Sequence, residues 1–344
     1  MNLNLSKVNM SKSLGIDLGT SNTLIYLAGK GIVLQEPSVA AINSRSMQVL
    51  EVGDAAGLMV GKTGGEQLAF RPIKDGVIAD FDVTVDMLGK FIRKVTGPIF
   101  FNRPKVAVCV PLGLTGVERR AFEDAAGSAG ARSVTLIEAP IAAAIGANIK
   151  IGAPRGSFII DIGGGTTEVA TVSLGGIVAS ASVRAASAKM DDAIMLYIKR
   201  RYNVGISPKT AEALKLRIGS VHPQADAGAM EVRGKNLASG LPVTLNVTSG
   251  DVRDAVGDVM EQILDCIRAV LEKTPPELCA DIYDRGILLT GGGASLRGLP
   301  VLLSQITGIR VTVAERPLQT CALGLGRFVE HPERYPYLTQ YKAR

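Results

Sequence analysis

The stretch Phe158-Ile159-Ile160-Asp161-Ile162-Gly163-Gly164-Gly165-Thr166-Thr167-Glu168-Val169-Ala170 constrains this chain more than any other. An apolar run ends in an aspartate, three glycines turn the backbone, and an apolar-polar alternation leads away. The pattern predicts a strand, a tight turn and a second strand. Consecutive glycines let backbone N–H groups approach an anion without side-chain obstruction. An aspartate at the end of the incoming strand, Asp161, is well placed to hold a hydrated Mg²⁺. One such hairpin is weak evidence, since a turn with no ligand reads the same.

The chain carries the pattern twice. Leu14-Gly15-Ile16-Asp17-Leu18-Gly19-Thr20-Ser21-Asn22-Thr23-Leu24-Ile25-Tyr26 has the same order of apolar strand, aspartate, glycine, threonine and strand. A further glycine turn follows at Leu288-Leu289-Thr290-Gly291-Gly292-Gly293-Ala294-Ser295-Leu296. Two matched hairpins and a late glycine turn suggest a duplicated fold closing on one nucleotide.

A length of 344 residues suits two domains or one bilobed one. The net charge of +6 contains no Lys/Arg run resembling a nucleic-acid arm. Cys109, Cys266, Cys279 and Cys321 are widely spaced and form no C-x-x-C pair, which predicts reduced core thiols in a cytoplasmic protein. Two histidines, His222 and His331, argue against a His-based metal site or triad. The N-terminus lacks the apolar core of a signal peptide, and no apolar run reaches 18 residues.

Helical spacing of Val83, Met87, Leu88, Phe91, Ile92 and Val95 predicts an amphipathic helix. Thr115-Gly116-Val117-Glu118 is a capping box that opens another helix. A long helix is predicted from Asp251 to Lys273, stopped by Thr274-Pro275-Pro276. The polar, turn-rich segment 43–73 and the β-like segment 220–250 read as inserted subdomains. Ile99-Phe100-Phe101, bracketed by Gly97-Pro98 and Asn102-Arg103-Pro104, is an apolar loop. It either folds back on the core or inserts into a membrane or partner. Burial of those side chains contributes at most roughly 5–8 kcal/mol per subunit, so repeated copies in a polymer would bind far better than one. Residues 1–13 leave two readings open, a disordered terminus and a short amphipathic arm.

These motifs together resemble the actin-like ATPase superfamily and, within it, the bacterial actin MreB/Mbl family. Gly15–Thr20 looks like its first phosphate motif, Asp161–Glu168 the second and Leu289–Gly293 the adenosine motif. Arg71–Asp80 and Leu271–Leu278 look typical of MreB rather than of chaperones or sugar kinases. The resemblance implies an α/β actin-like, ribonuclease H-like duplicated fold, with two lobes of two subdomains around a nucleotide cleft. The expected division is 1–40, 74–153 and 323–344 for the first large subdomain, with 41–73 inserted. The second large subdomain takes 154–189 and 251–322, with 190–250 inserted.

The resemblance further implies ATP and Mg²⁺ as cofactors. Asp17 and Asp161 would hold the metal through water. Gly19, Thr20, Ser21 and Asn22, with Gly163, Gly164, Gly165 and Thr166, would cradle phosphates. Glu212 and Lys215 would line ribose and base, Gly291, Gly292, Gly293, Ala294 and Ser295 would pass beneath adenosine, and Thr166 or Thr167 would help position water. The implied partners are a homopolymer of paired protofilaments, the inner membrane surface reached through Ile99, Phe100 and Phe101, and the cell-wall elongation proteins of rod-shaped cells; nucleic acid is not among them. The implied location is cytoplasmic, peripheral to the membrane.

The chain departs from the family at the water-activating position. Family members carry Glu-Glu-Pro where this chain has Glu138-Ala139-Pro140. Alanine neither accepts a proton nor positions water, and loss of a general base costs about 10²–10⁴-fold in rate. Neighbouring side chains on a helix point about 100° apart, which makes Glu138 a poor substitute. The family's Gly-Gly-Asp is Ala186-Ser187-Ala188, and the acid expected two residues before Gly219 is Arg217. The expectation is a filament protein that binds ATP and hydrolyses it slowly or not at all. The alternatives are a nucleotide-independent scaffold and a small-molecule phosphotransferase of the same superfold.

Overall fold

The computed structural model describes residues 12–62, 64–97 and 103–339. The apolar loop Ile99-Phe100-Phe101 and most of the 1–13 segment lie outside the described residues. The chain divides into two units. One takes residues up to Val110, Leu114–Glu138 and the chain from Cys321; the other takes Pro111–Gly113 and Ala139–Thr320.

In the first unit, β1 (Ser13–Leu18), β2 (Asn22–Leu27) and β3 (Gly31–Pro37) form an antiparallel meander. A smaller sheet follows, with β4 (Ala40–Asn43) between β5 (Val49–Val52) and β6 (Gln67–Phe70), and then the ribbon of β7 (Ile73–Lys74) and β8 (Val77–Ile78). β9 (Lys105–Val110) then adds parallel to β1, and β10 (Ser133–Glu138) parallel to β9. The large sheet therefore runs β10-β9-β1-β2-β3.

The second unit repeats the plan. β11 (Ser157–Ile162), β12 (Thr167–Ser173) and β13 (Gly176–Val183) form the meander. β14 (Val204–Gly205), β15 (Ala229–Asn236) and β16 (Pro242–Thr248) form the smaller sheet. β17 (Ile287–Thr290) and β18 (Val311–Val313) add in parallel, giving β13-β12-β11-β17-β18. Two sheets of identical strand direction and order are what the repeated hairpin motif predicts.

The apolar periodicity drives the packing. β11 and β12 are buried along their whole length, the signature of strands covered on both faces. The helix Ser249–Lys273 buries Val252, Val256, Val259, Met260, Ile263, Ile267 and Val270 in the core of the second unit. In the first unit the helix Phe81–Thr96 buries Met87, Leu88, Phe91 and Ile92 among β-sheet residues and Phe122. The capping box forms as read, with Thr115 accepting from the Glu118 amide and Glu118 accepting from the Thr115 amide. The longest helix that escaped the sequence reading follows the long one. Pro275-Pro276 ends the long helix but also begins another, Pro276–Arg285, because proline is favoured in a first turn. No helix among the described residues is long and apolar enough to cross a membrane.

The helix Thr320–Glu330 lies against β1 and β2. Glu330 accepts from the Tyr26 hydroxyl at 3.1 Å and the Gly29 amide at 2.8 Å. Close approach here demands glycine: a Cβ on Gly15 would lie 2.6 Å from Leu325 Cβ and 3.0 Å from its carbonyl carbon. Because backbone cannot yield locally, Gly15→Ala should cost about 1–3 kcal/mol. Urea unfolding of the pair checks this, and superimposed curves would contradict it.

Candidate functional site

Each large sheet presents its motif at the carboxyl end of its first strand, where ligands bind in open α/β sheets. Asp17 is the penultimate residue of β1 and lies beside Cys109 of β9 in register. Burial pushes its carboxyl up to about 6, and a hydrogen bond with the Cys109 side chain opposes part of that rise. The turn Gly19–Asn22 follows. It closes when the Gly19 amide donates to the Asn22 carbonyl at 3.1 Å. Thr20 is buried, and its hydroxyl accepts from the Gly76 amide at 3.1 Å.

The second copy closes the same way. The Gly163 amide donates to the Thr166 carbonyl at 2.9 Å, and buried Asp161 is the penultimate residue of β11 as Asp17 is of β1. Thr167 is fully buried and its hydroxyl donates to the Ala185 carbonyl at 2.6 Å, so that group is committed to the fold. Thr166 instead hydrogen-bonds through its side chain to Glu168. The helix Ser187–Tyr202 meets this turn through backbone alone: the Ser187 amide donates to Gly163 at 3.2 Å and the Ala188 amide to Gly164 at 2.9 Å. Substitutions in Ala186-Ser187-Ala188 leave those two bonds available, because neither uses a side chain.

Glu168 is the group the sequence reading missed. Asp161 and Glu168 are direct cross-strand partners on β11 and β12. Glu168 is buried and accepts from the Leu112 amide at 3.0 Å and the Ser182 hydroxyl at 3.0 Å. Burial pushes its carboxyl up to about 7, aided by the Asp161 charge and opposed by those hydrogen bonds. The signal was available: a four-residue turn at Gly163–Thr166 pairs Ile162 with Thr167 and therefore Asp161 with Glu168.

The remaining candidates fall into three places. Gly291–Ser295 forms the turn after β17, with a short 3₁₀ helix over Gly292–Ser295. It packs directly on the second hairpin, since a Cβ on Gly291 would lie 2.4 Å from Asp161 Oδ1 and one on Gly293 would lie 2.3 Å from Ile162 Cγ2. Lys215 and Glu212 lie on the helix Pro208–Ile218. Glu212 is exposed, whereas Lys215 is buried and pairs with Asp191 at 2.8 Å while donating to the Ser187 carbonyl at 2.9 Å. Desolvation raises the Asp191 carboxyl to about 6 despite that partner. Glu138 ends β10 and pairs with Arg119 at 3.5 Å, and Ala139 begins the helix Ala139–Gly146 and is only 7% exposed. Ile99, Phe100 and Phe101 lie outside the described residues.

A family model described as MreB/Mbl protein matches residues 11–336. The chain belongs to the MreB/Mbl family. It is 49% identical over 325 residues to the cell shape-determining protein MreB of Escherichia coli K12, covering 93% of this chain and 94% of that protein. It is 45% identical over 326 residues to the cell shape-determining protein Mbl of Bacillus subtilis 168, covering 95% and 98%. Among solved structures, MreB5 of Spiroplasma citri bound to ADP superimposes with a TM-score of 0.89 at 36% identity, covering 95% of this chain and 98% of that one. The AMPPNP-bound form of MreB5 gives 0.89 at 36% identity, covering 96% and 99%. The MamK double helical filament gives 0.79 at 21% identity, covering 93% and 98%, and supports the fold alone. The fold implied by the resemblance, actin-like and mixed α/β, is the fold these solved structures share with this chain.

The Glu168 carboxyl gives the ligand-free chain a pH signature. Its folded pKa, about 7, lies above the ordinary glutamate value of 4.5. Its stabilisation is therefore full below the unfolded pKa and is lost as pH rises through the folded one. The raised Asp17 and Asp191 act in the same direction. Between pH about 5 and about 8 the thermal midpoint should fall, and it should fall less in Glu168→Gln. Equal slopes in the two proteins would contradict the assignment.

Proposed function

We propose that this chain binds ATP with Mg²⁺ and polymerises into paired protofilaments on the cytoplasmic face of the membrane, where the filaments guide wall elongation and rod shape. Hydrolysis is weak or absent. The observation that carries the reading is the matched pair of hairpins, each with a strand-terminal aspartate and a turn closed by a glycine amide. The names of the relatives support the cell-shape role. The ADP- and AMPPNP-bound forms of MreB5 support nucleotide binding by a close relative of the same fold.

In this reading backbone amides within Gly19–Asn22 and Gly163–Thr166 donate to phosphate oxygens, because exposed amides in a tight turn form an anion-binding concavity. Asp17 and Asp161 offer hard oxygen donors. Among the described residues no cluster of three or more His, Cys, Asp or Glu side chains gathers. That donor set fits Mg²⁺, which keeps most of its waters and takes one or two carboxylates beside the substrate phosphates. When bound, Mg²⁺ supplies charge neutralisation at the phosphates. Thr166 or Thr167 positions water through a remaining lone pair, since the Thr166 side chain hydrogen-bonds to Glu168 and the Thr167 hydroxyl donates to Ala185. Glu212 and Lys215 line the ribose and base, and Gly291–Ser295 passes beneath adenosine. For Lys215 this requires it to keep or exchange its partner Asp191.

Ala139 sets the rate. A buried methyl group at the start of the helix holds no water and takes no proton, and Glu138 beside it already pairs with Arg119. Phosphate release from Mg-ATP at polymerising concentration tests this. The unmodified chain should release little, and Ala139→Glu should release at least about 10²-fold faster. Brisk release by the unmodified chain would contradict the role of Ala139. Silence in both, with no thermal stabilisation by Mg-ATP, would favour a nucleotide-independent scaffold.

The membrane contact is assigned to Ile99-Phe100-Phe101, three large apolar residues in a loop flanked by Pro98 and Pro104. Replacing all three with serine should abolish co-sedimentation of the assembled protein with anionic vesicles. Unchanged co-sedimentation would remove the loop from the proposal.

A further inference from the structure

An anion repels carbonyl oxygens, so a turn that binds phosphate through its amides must hold its carbonyls elsewhere. All four carbonyls of the first turn accept hydrogen bonds from within their own unit. Gly19 accepts from the Ser38 hydroxyl at 2.6 Å. Thr20 accepts from Arg71 Nη1 at 3.2 Å, and Ser21 accepts from the same nitrogen at 2.9 Å. Ser21 also accepts from the Ser38 amide at 3.0 Å, and Asn22 from the Gly19 amide at 3.1 Å. Ser38 is fully buried, and its Oγ lies 2.8 Å from Thr23 Oγ1. Because the Ser38 proton goes to Gly19, Thr23 is the donor in that contact.

The second turn solves the same problem differently. Gly163, Gly164 and Thr166 accept from the Ser187, Ala188 and Gly163 amides. Its donors are backbone, whereas two of the donors to the first turn are side chains, Ser38 and Arg71. The second copy shows that carbonyl restraint accompanies the motif; the first copy shows which side chains provide it there.

We propose that Ser38 and Arg71 are positioning residues for the phosphate chain of a bound nucleotide. They fix the carbonyls of Gly19–Ser21 away from the anion, so that the turn offers amides, and the Arg71 guanidinium adds positive charge behind the turn. The inference rests on the reading that this chain binds ATP. Neither residue belongs to the motif Gly15–Thr20, and they come to it from the end of β3 and from the link between β6 and β7.

Calorimetric titration of the full chain with Mg-ATP, Mg-ADP and adenosine tests it, on the unmodified protein, Ser38→Ala, Arg71→Ala and Arg71→Lys. Each alanine variant should bind ATP and ADP about tenfold more weakly, the effect of losing one good hydrogen bond to the turn. Adenosine, which has no phosphate, should bind equally to all four proteins. Arg71→Lys should recover most of the ATP affinity, because it restores the charge and a donor. Unchanged ATP affinity in both alanine variants would overturn the proposal, as would a parallel loss of ATP and adenosine. Arg71 is exposed, so its substitution tests the idea even where Ser38→Ala fails to fold. Binding by the unmodified chain separates the two ideas: its absence refutes the ATP reading and this inference with it, while its presence with unaffected variants refutes the inference alone.

Discussion

A glycine amide that reaches forward to the carbonyl three residues on sets the geometry of both halves of this protein. Gly19 closes on Asn22 and Gly163 closes on Thr166. Closure at that length fixes the hairpin register, and register decides which side chains stand beside the strand-terminal aspartate. A Cβ at either glycine would lie about 3 Å from the carbonyl it serves, 2.9 Å at Gly19 and 3.1 Å at Gly163, so glycine is the residue that closes the turn without displacing that carbonyl. The parallel strands, the flanking helices and the late glycine turn are arranged around these two closures.

The same backbone plan then carries different chemistry. The cross-strand partner of Asp17 is Leu24, while that of Asp161 is Glu168. The first copy therefore keeps a single strand-terminal carboxylate with a thiol beside it. The second sets two carboxylates side by side in a buried place, where the burial of Glu168 and then the charge of Asp161 raise the proton affinity of Glu168. The support behind the turns differs too, side chains in one unit and helix-start amides in the other. Ser187 and Ala188 reach the second turn through their backbone amides, which their side chains do not alter.

What the sequence revealed follows how local each cause is. The hairpins, the capping box at Thr115 and the long helix ending at Lys273 depend on neighbours within a few residues, and they were legible. The helix Pro276–Arg285 was not, because one proline signal served both as a stop and as a start. The pairing of Glu168 with Asp161 was legible from the hairpin, whereas its burial and its bonds to Leu112 and Ser182 come from packing beyond the hairpin. The ion pair of Lys215 with Asp191 and the commitment of the Thr167 hydroxyl to Ala185 are tertiary facts of the same kind. Composition predicted no nucleic-acid arm and said nothing about the site. The family resemblance supplied the candidate roles, and the hydrogen-bond network supplied the reasons why particular residues are available for them.

The central proposal is that each glycine turn is an anion cradle for the phosphates of a bound nucleotide. Hydrogen exchange at the backbone amides of Gly19–Asn22 and Gly163–Thr166, with and without Mg-ATP, tests it most directly. The account predicts that exchange slows at both turns together, over the same range of ATP concentration. Slowing at one turn alone, or at neither, would contradict it.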